Sequence, residues 1–229
     1  AINSVGDLFI ADAENNKIRM VDISSGIIST IAGTGIAGFS GDGNFAIDAQ
    51  LNRPVSVILD TYDNLYITDY NNHRIRKVDA LSGTISTVVG NGSGQYQGDG
   101  GLAIDASINL PHGINFDQMG NMYIADTYNH TIRKVDAETQ IITTVVGNGS
   151  SGFAGDGGPP DNAQVFYPHD IVFDFDGVMY ITDHHNHRIR SVEGFGLNFI
   201  LDHATSDDGD NFDQSREYLN LPVGNYSVQ

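Results

Sequence analysis

Short runs of apolar residues, separated by polar turns, recur along the whole chain. In VSVILD (55–60) and NLYITD (64–69), β-branched, aromatic and other apolar residues are bounded by glycine, asparagine or aspartate. Runs of this length and composition predict β-strands. HRIRKVD (73–79) and TISTVVG (84–90) continue the series after short turns. Because short turns join antiparallel neighbours, the pattern predicts a four-stranded antiparallel meander.

The motif TDYNNHRIRKVD (68–79), which covers the end of the second strand and the third strand, is repeated. Its copies are ADAENNKIRMVD (11–22), ADTYNHTIRKVD (125–136) and TDHHNHRIRSVE (182–193). Neighbouring copies are 57 residues apart, and a constant period of this size indicates an array of supersecondary units. Since one such unit cannot bury its apolar faces alone, it must pack against its neighbours.

The repeats predict an all-β fold, a β-propeller in which each unit is a four-stranded antiparallel blade. The first two strands of a unit are apolar on both faces, as at Val57, Ile58 and Leu59, whereas a half-solvated sheet would alternate. Blades packed radially around an axis have both faces covered. We therefore predict a single domain over 1–229, and its units are about 1–54, 55–111, 112–168 and 169–229.

The order of strand, Asp, Asn-His and Ile-Arg-Lys-Val-Asp resembles the NHL repeat, whose members form β-propellers. The Asn-His pairs are Asn72-His73, Asn129-His130 and Asn186-His187, and the first copy has Asn15-Asn16. The linkers between units resemble those of bacterial secreted NHL arrays and of the teneurin-type propeller. The resemblance implies a propeller and favours an extracellular or cell-surface location. Family functions range from protein and RNA binding to a metal-dependent lyase, so function must be argued from the site.

Each copy of the motif places an aspartate seven residues before an arginine, across a turn. The pairs are Asp12/Arg19, Asp69/Arg76, Asp126/Arg133 and Asp183/Arg190. We expect the carboxylate to accept hydrogen bonds from the backbone of the turn and to pair with the guanidinium. Because a single active site has no use for four copies, we interpret these residues as a structural hairpin lock. Function should lie where the copies differ.

The linkers, such as GTGIAGFSGDGNFAIDAQLNRP (33–54), are longer than a simple crossing of one blade requires. We expect each to fold on the surface, held by one aromatic and one aliphatic side chain and turned by glycines of positive φ in Gly-Asp-Gly. These anchors are Phe39, Tyr96 and Phe153 with Leu51, Ile108 and Val165. An alternative hypothesis is that Asp42 or Asp48, and the equivalent residues of the other linkers, bind a calcium ion.

The residues that begin the first strands differ between units and are the most site-like positions. Pro111 is followed by His112, and Pro168 is followed by His169 and Asp170. Since the first strand of a blade is innermost, these side chains are expected at one mouth of the central channel. They are either polar residues that line the channel and bind a ligand or, as inner-strand histidines do in the NHL-type amidating lyase, metal ligands.

The fourth unit departs from the pattern after residue 193. LNLPVGNYSV (219–228) resembles LNRPVSVILD (51–60), and the first unit lacks a complete first strand. We predict that the C-terminal strand completes the first blade and closes a four-bladed ring; alternatively, it begins a further blade. A second candidate calcium site is an acidic cluster made by Asp207, Asp208, Asp210 and Asp213.

Charge and composition exclude several classes of function for this chain. A net charge of −18 argues against nucleic acid, whose phosphates require Lys and Arg. The sequence has no apolar run of the roughly 18 residues that a membrane span needs, so no membrane insertion is predicted. The absence of cysteine excludes disulfides and thiolate metal sites. Four Asn-x-Ser/Thr sequons are candidate glycosylation sites, namely Asn91, Asn129, Asn148 and Asn225.

These observations favour a non-enzymatic, extracellular NHL-type propeller that binds a protein or glycan, or assembles with copies of itself. Propellers present wide faces built from loops, and loops commonly carry binding residues. One alternative is a metal-dependent enzyme of lyase or hydrolase type, centred on His112 and His169. Another is an architectural domain of a larger surface protein or filament. Apart from calcium, no cofactor is expected.

Overall fold

The computed structural model describes residues 1–194. The strand predicted at 222–228, the acidic cluster from Asp207 to Asp213, and Asn225 lie outside the described residues. The described strands are β1 (Leu8–Asp12), β2 (Lys17–Val21), β3 (Ile28–Ala32), β4 (Pro54–Leu59), β5 (Leu65–Asp69), β6 (Arg74–Val78), β7 (Ile85–Val89), β8 (Ile114–Phe116), β9 (Met122–Asp126), β10 (Thr131–Val135), β11 (Ile142–Val146), β12 (Pro168–Phe173), β13 (Met179–Asp183) and β14 (Arg188–Val192).

The strands form four antiparallel sheets, one per repeat, which confirms the all-β fold. The second and third sheets are the predicted four-stranded meanders, β4-β5-β6-β7 and β8-β9-β10-β11. The first sheet has β1-β2-β3 and a single bridge between Ile2 and Leu8, and the described part of the fourth has β12-β13-β14. Short 3₁₀ turns complete the structure at Ala13–Asn15, Ala46–Asp48, Tyr70–Asn72, Ala103–Asp105, Thr127–Asn129, Pro160–Asn162 and His184–Asn186.

The hydrophobic core lies between the sheets. We call the side of a sheet that faces the next repeat its trailing face, and the opposite side its leading face. Between the second and third sheets, Ile75 on the trailing face packs in one cluster with Ile124 and Ile142 on the leading face of the next sheet. Equivalent clusters fill the other two interfaces. Each fully buried isoleucine contributes about 1.5–3 kcal/mol, so the interfaces hold the array together.

Each linker closes the outer part of an interface. Its predicted aliphatic anchors, Leu51, Ile108 and Val165, are fully buried within the three clusters. The first glycine of Gly-Asp-Gly has a positive φ, which is +91° at Gly41, and a Cβ there would lie 2.7 Å from the Cβ of Ala49. Only glycine fits this combination of backbone angle and close approach.

The four described sheets form an open array. Leu8, on the leading face of the first sheet, is 41% exposed, whereas Leu65, Met122 and Met179 at the same repeat position are at most 6% exposed. Within residues 1–194, the fourth sheet therefore does not cover the first. The predicted four-bladed ring is not closed by contact between these sheets, and the strand predicted to close it is not among the described residues.

Candidate functional site

Each predicted lock is a three-part arrangement that joins a sheet to its linker. Nη1 of Arg76 lies 3.2 Å from Oδ2 of Asp69, and both side chains are fully buried. The other terminal nitrogen, Nη2, donates to Asp42 of the Gly-Asp-Gly turn at 2.7 Å. The same geometry recurs in the third and fourth sheets with Arg133, Asp126 and Asp99, and with Arg190, Asp183 and Asp156.

The backbone donor to the aspartate comes from the linker, which corrects the expectation that the turn supplies it. Oδ1 of Asp69 accepts the N–H of Asn52 at 2.8 Å. The N–H groups of the turn have other acceptors, because His73 donates to the carbonyl of Tyr70 and Asn71 donates to the carbonyl of Asn52. Burial raises the pKa of Asp126 to about 6. Hydrogen bonds from Asn109 and Asn129 and the ion pair with Arg133 act in the opposite direction and lower it. The carboxylate thus remains largely ionised at neutral pH.

The Asn-His pair of the motif attaches one sheet to the linkers on both sides. The amide of Asn72 donates to the carboxylate of Asp69 at 2.8 Å and to the carbonyl of Gly38, in the preceding linker, at 2.7 Å. Nδ1 of His73 accepts the N–H of Leu110, in the following linker, at 3.1 Å. The repeated residues therefore make structural contacts, as their repetition suggested.

Two candidate sites, the sequon at Asn129 and the calcium ligand Asp42, take part in the hydrogen bonds of the lock. Asn129 is buried and its amide donates to both carboxylate oxygens of Asp126. Its sequon is therefore inaccessible in the folded chain, whereas Asn91 and Asn148 are exposed at the start of their linkers. Both oxygens of Asp42 are hydrogen-bonded, to Arg76 and to Thr87. The charge of Asp42 is therefore already paired with a guanidinium, as part of the lock.

The first copy of the lock is looser. Asp12 and Arg19 are 3.7 Å apart and both side chains are partly exposed, in contrast to their buried equivalents. Asp48, the other linker carboxylate considered for calcium, lies exposed on the Ala46–Asp48 turn. In the part of the chain that the structure describes, no three His, Cys, Asp or Glu side chains are arranged to hold a metal ion.

A cluster of aromatic and histidine side chains occupies the ends of the sheets where the first strands begin. We call it the aromatic face, and its members are Tyr70, His112, Tyr128, His130, Phe166, Tyr167, His169, His184 and His185. Except for His130, these residues occupy positions at which the copies differ. For example, His185 replaces Glu14 of the first copy, and Tyr167 replaces Arg53.

The rings of the aromatic face form a continuous cluster across two sheets, and three of its histidines are stacked. His112 stacks on His169 with ring centroids 4.3 Å apart, and His169 stacks on His184 at 4.0 Å. Nδ1 of His184 lies 3.0 Å from Nδ1 of His185. Tyr167 then continues the cluster from His185 to Tyr128, with 4.6 Å between centroids at each step.

This geometry brings His112, His169 and Asp170 together at the predicted channel-mouth positions, but it does not form a metal centre from them. The planes of the His112 and His169 rings are within 10° of parallel. Imidazole nitrogens bind metals through lone pairs in the ring plane, so stacked rings do not direct them at one ion. The exposed carboxylate of Asp170 accepts the N–H of Ile171.

The environment of His112 and His169 favours their neutral form. Burial, together with the neighbouring His112, His184 and His185, lowers the pKa of His169 to about 4. Burial also lowers the pKa of His112, although the nearby Asp170 opposes this effect. The neutral rings of His112 and His169 can lie at stacking distance without charge repulsion, and the cluster gives an aromatic surface on an otherwise acidic chain.

Sequence reasoning found only two of the nine members of the aromatic face as candidate site residues. It missed Tyr70, Tyr128, His184 and His185 because they lie inside the motif assigned to the scaffold, and Tyr167 because it lies at the end of a linker. The available signal was divergence within the motif: the residue after the aspartate is Ala13, Tyr70, Thr127 and His184 in successive copies.

Four antiparallel sheets packed face to face, joined by folded linkers, define a repeat protein of the propeller-blade class. A family model, the teneurin NHL domain, matches residues 92–154. Bovine NHL repeat-containing protein 2 is 31% identical over 143 residues, which are 59% of this chain and 20% of that protein. Human teneurin-1 is 31% identical over 157 residues, covering 58% of this chain and 6% of that protein. Over these residues the chain is similar to proteins of the NHL-repeat family.

The chain spans one fifth or less of the length of each of these two relatives. The same holds for a third relative. That relative is the chloroplastic protein SUPPRESSOR OF QUENCHING 1 of Arabidopsis thaliana, which is 30% identical over 57% of this chain and matched over 13% of its own length. Relatives with different names and lengths therefore share this repeat, and their whole-protein activities do not transfer to the chain directly.

Solved structures agree on the fold. A Bacteroides thetaiotaomicron protein of unknown function superposes with a TM-score of 0.64 at 23% identity, covering 81% of this chain and 44% of the other. A streptogramin B lyase superposes with a TM-score of 0.55 at 16% identity, covering 86% of this chain and 51% of the other. At these identities the likeness concerns the fold alone. Across residues 1–194, no helix is long and apolar enough to cross a membrane.

The low pKa of His169 predicts a pH-dependent contribution to stability. The unfolded chain binds the proton near pH 6.5, but the folded chain binds it only near pH 4. The stability that the neutral ring contributes is thus present above about pH 6.5 and is lost as the pH falls towards 4. Between pH 7 and pH 4.5, the melting temperature of the parent should fall more steeply than that of His169→Gln.

The melting temperatures of both proteins are measured by circular dichroism over this pH range. His187→Gln, which changes an exposed histidine outside the aromatic face, is the control and should follow the parent. Parallel melting curves for the parent and His169→Gln would contradict the assignment.

Proposed function

We propose that this chain is a non-enzymatic binding module whose ligand, a protein or a glycan, contacts the aromatic face. The observation that carries the proposal is the cluster of rings at non-repeating positions, in which His112, His169 and His184 are stacked and His185 lies next to His184. The repeated positions are occupied by scaffold contacts, so the residues free to specify a ligand are those at which the copies differ.

The chemistry of the aromatic face suits molecular recognition. Tyr128 is 44% exposed, and His184 and His185 are exposed. Tyrosine rings give a partner a flat apolar surface with a polar end and lose little conformational freedom on binding. The two ring nitrogens of an imidazole can form hydrogen bonds with a partner. Aromatic residues are enriched at the centres of protein interfaces.

A metal-dependent enzyme centred on His112 and His169 receives less support from this arrangement. Their rings are stacked and their nitrogens do not converge, and the carboxylate of Asp170 is hydrogen-bonded to its neighbouring backbone. The superposition with streptogramin B lyase is at 16% identity and concerns the fold. An architectural role in a larger surface protein is compatible with the same binding surface.

The proposal predicts that binding depends on the exposed rings of the aromatic face. The parent should bind members of a glycan array or of a displayed peptide library. Tyr128→Ala should weaken each interaction at least about tenfold, which corresponds to 1.4 kcal/mol. Tyr62→Ala should have no effect, because Tyr62 is equally a surface tyrosine, 81% exposed, but lies in the β4–β5 turn, outside the aromatic face.

Three results would contradict the proposal. The first is the absence of any ligand in both collections, and the second is an equal loss of binding for Tyr128→Ala and Tyr62→Ala. The third is stoichiometric zinc in the purified protein that disappears in the double variant His112→Ala with His169→Ala while the fold is retained. That result would favour the metal-dependent enzyme.

We further propose that the module functions outside the cell or at its surface. The support is the resemblance of its linkers to secreted arrays and the exposure of the sequons at Asn91 and Asn148. When the chain is secreted from a eukaryotic host, mass spectrometry should find glycans at these two sites. Asn129, whose amide is buried, should be unmodified. Empty sequons at Asn91 and Asn148, or a glycan at Asn129, would contradict this proposal.

A further inference from the structure

Two neighbouring histidines of the fourth repeat bring the same ring nitrogen together. Nδ1 of His184 lies 3.0 Å from Nδ1 of His185. Both residues belong to the 3₁₀ turn between β13 and β14, and both are exposed. The contact is a hydrogen bond in which one Nδ1 donates and the other accepts. The turn therefore holds two potential metal ligands side by side, within reach of solvent.

Neighbouring rings restrict both histidines. His184 stacks on His169, with the centroids 4.0 Å apart and the ring planes within 7° of parallel. His185 lies 5.0 Å from the ring of Phe166 and meets the ring of Tyr167 edge to face at 4.6 Å. A side chain that is already held in place loses less rotational freedom when it binds a ligand. The pair is thus partly organised for binding although it lies at the surface.

The fold of the turn does not require these histidines. The residue that follows the turn has a φ between 54° and 56° in all four copies, so the backbone form is constant. The two positions are nevertheless filled differently in the other copies, by Ala13-Glu14, Tyr70-Asn71 and Thr127-Tyr128. The histidine pair is therefore a property of the fourth repeat and not of the scaffold.

The separation of the two nitrogens suits one class of metal ion. Imidazole nitrogens bind a divalent transition metal at about 2.0–2.1 Å. Two nitrogens at that distance from one ion and 3.0 Å from each other subtend an angle of about 95° at the metal. This angle is close to the right angle of tetragonal Cu²⁺ and Ni²⁺ sites, and copper is the more tightly bound of the two. A tetrahedral zinc site would hold its nitrogens about 3.3 Å apart.

We propose that His184 and His185 form a bidentate site for Cu²⁺. The imidazole that donates the hydrogen bond shifts its proton from Nδ1 to Nε2 through solvent, so that both Nδ1 lone pairs are free to bind the ion. Within residues 1–194, no three His, Cys, Asp or Glu side chains converge, so water fills the remaining coordination positions. The inference concerns these two nitrogens and does not depend on whether the aromatic face binds a protein or a glycan.

Copper alone is the probe that tests the proposal. By isothermal titration with CuCl₂ at neutral pH, with glycine as a weak competitor, the parent should show one tight site. Its electron paramagnetic resonance spectrum should be tetragonal, with hyperfine splitting from two nitrogens. The double variant His184→Thr with His185→Tyr carries the residues of the third copy, whose turn has the same backbone form. It should bind copper at least about tenfold more weakly, because the chelate is lost.

His187→Asn is the matched control. His187 is an exposed histidine of the same motif, and Asn16 occupies its position in the first copy with the same positive φ. This variant should bind copper like the parent, and circular dichroism should show that both variants are folded. Three results would overturn the proposal: a parent that binds no copper, a double variant with the affinity of the parent, or an equal loss of affinity in His187→Asn.

Discussion

A buried arginine that bridges two aspartates is the interaction on which the rest of this structure depends. In the third repeat, Arg133 and Asp126 are fully buried, and the second carboxylate, Asp99, comes from the linker. Taking such charges out of water is costly unless they are paired and hydrogen-bonded. Here one guanidinium satisfies a carboxylate in its own sheet and another in a loop 34 residues away. The interaction thus defines the path of the linker as well as the hairpin.

The position of the linker in turn completes the core. With the Gly-Asp-Gly turn held by the arginine, Ile108 is placed between two sheets, where it is fully buried. The aromatic ring of the linker covers the arginine from outside, with Cζ of Arg133 5.1 Å from the centre of Tyr96. Constant residues of the repeat therefore build the interfaces. Divergent residues at the ends of the strands, which the interfaces hold in register, form the aromatic face.

Much of this organisation could be predicted from the sequence because it is local. The strands followed from apolar runs and short turns, and the Asp69–Arg76 pairing followed from two residues on either side of one turn. The pairing of Arg76 with Asp42 could not be predicted, because it depends on how a long linker folds back. The stack of His112, His169 and His184 depends on the relative position of neighbouring sheets. The open array has the same cause, since closure depends on the rotation between sheets.

The central claim is that the repeated arginines stabilise the interfaces and do not bind the ligand. The most direct test is the free energy of unfolding of Arg76→Ala, Arg133→Ala and Arg19→Ala, measured by denaturant titration. The first two should each lose on the order of 3 kcal/mol, because a buried carboxylate is left unpaired. Arg19→Ala should lose less than about 1 kcal/mol, since its partner is 3.7 Å away and partly exposed. Equal losses in all three variants, or lost ligand binding with unchanged stability in Arg133→Ala, would contradict the account.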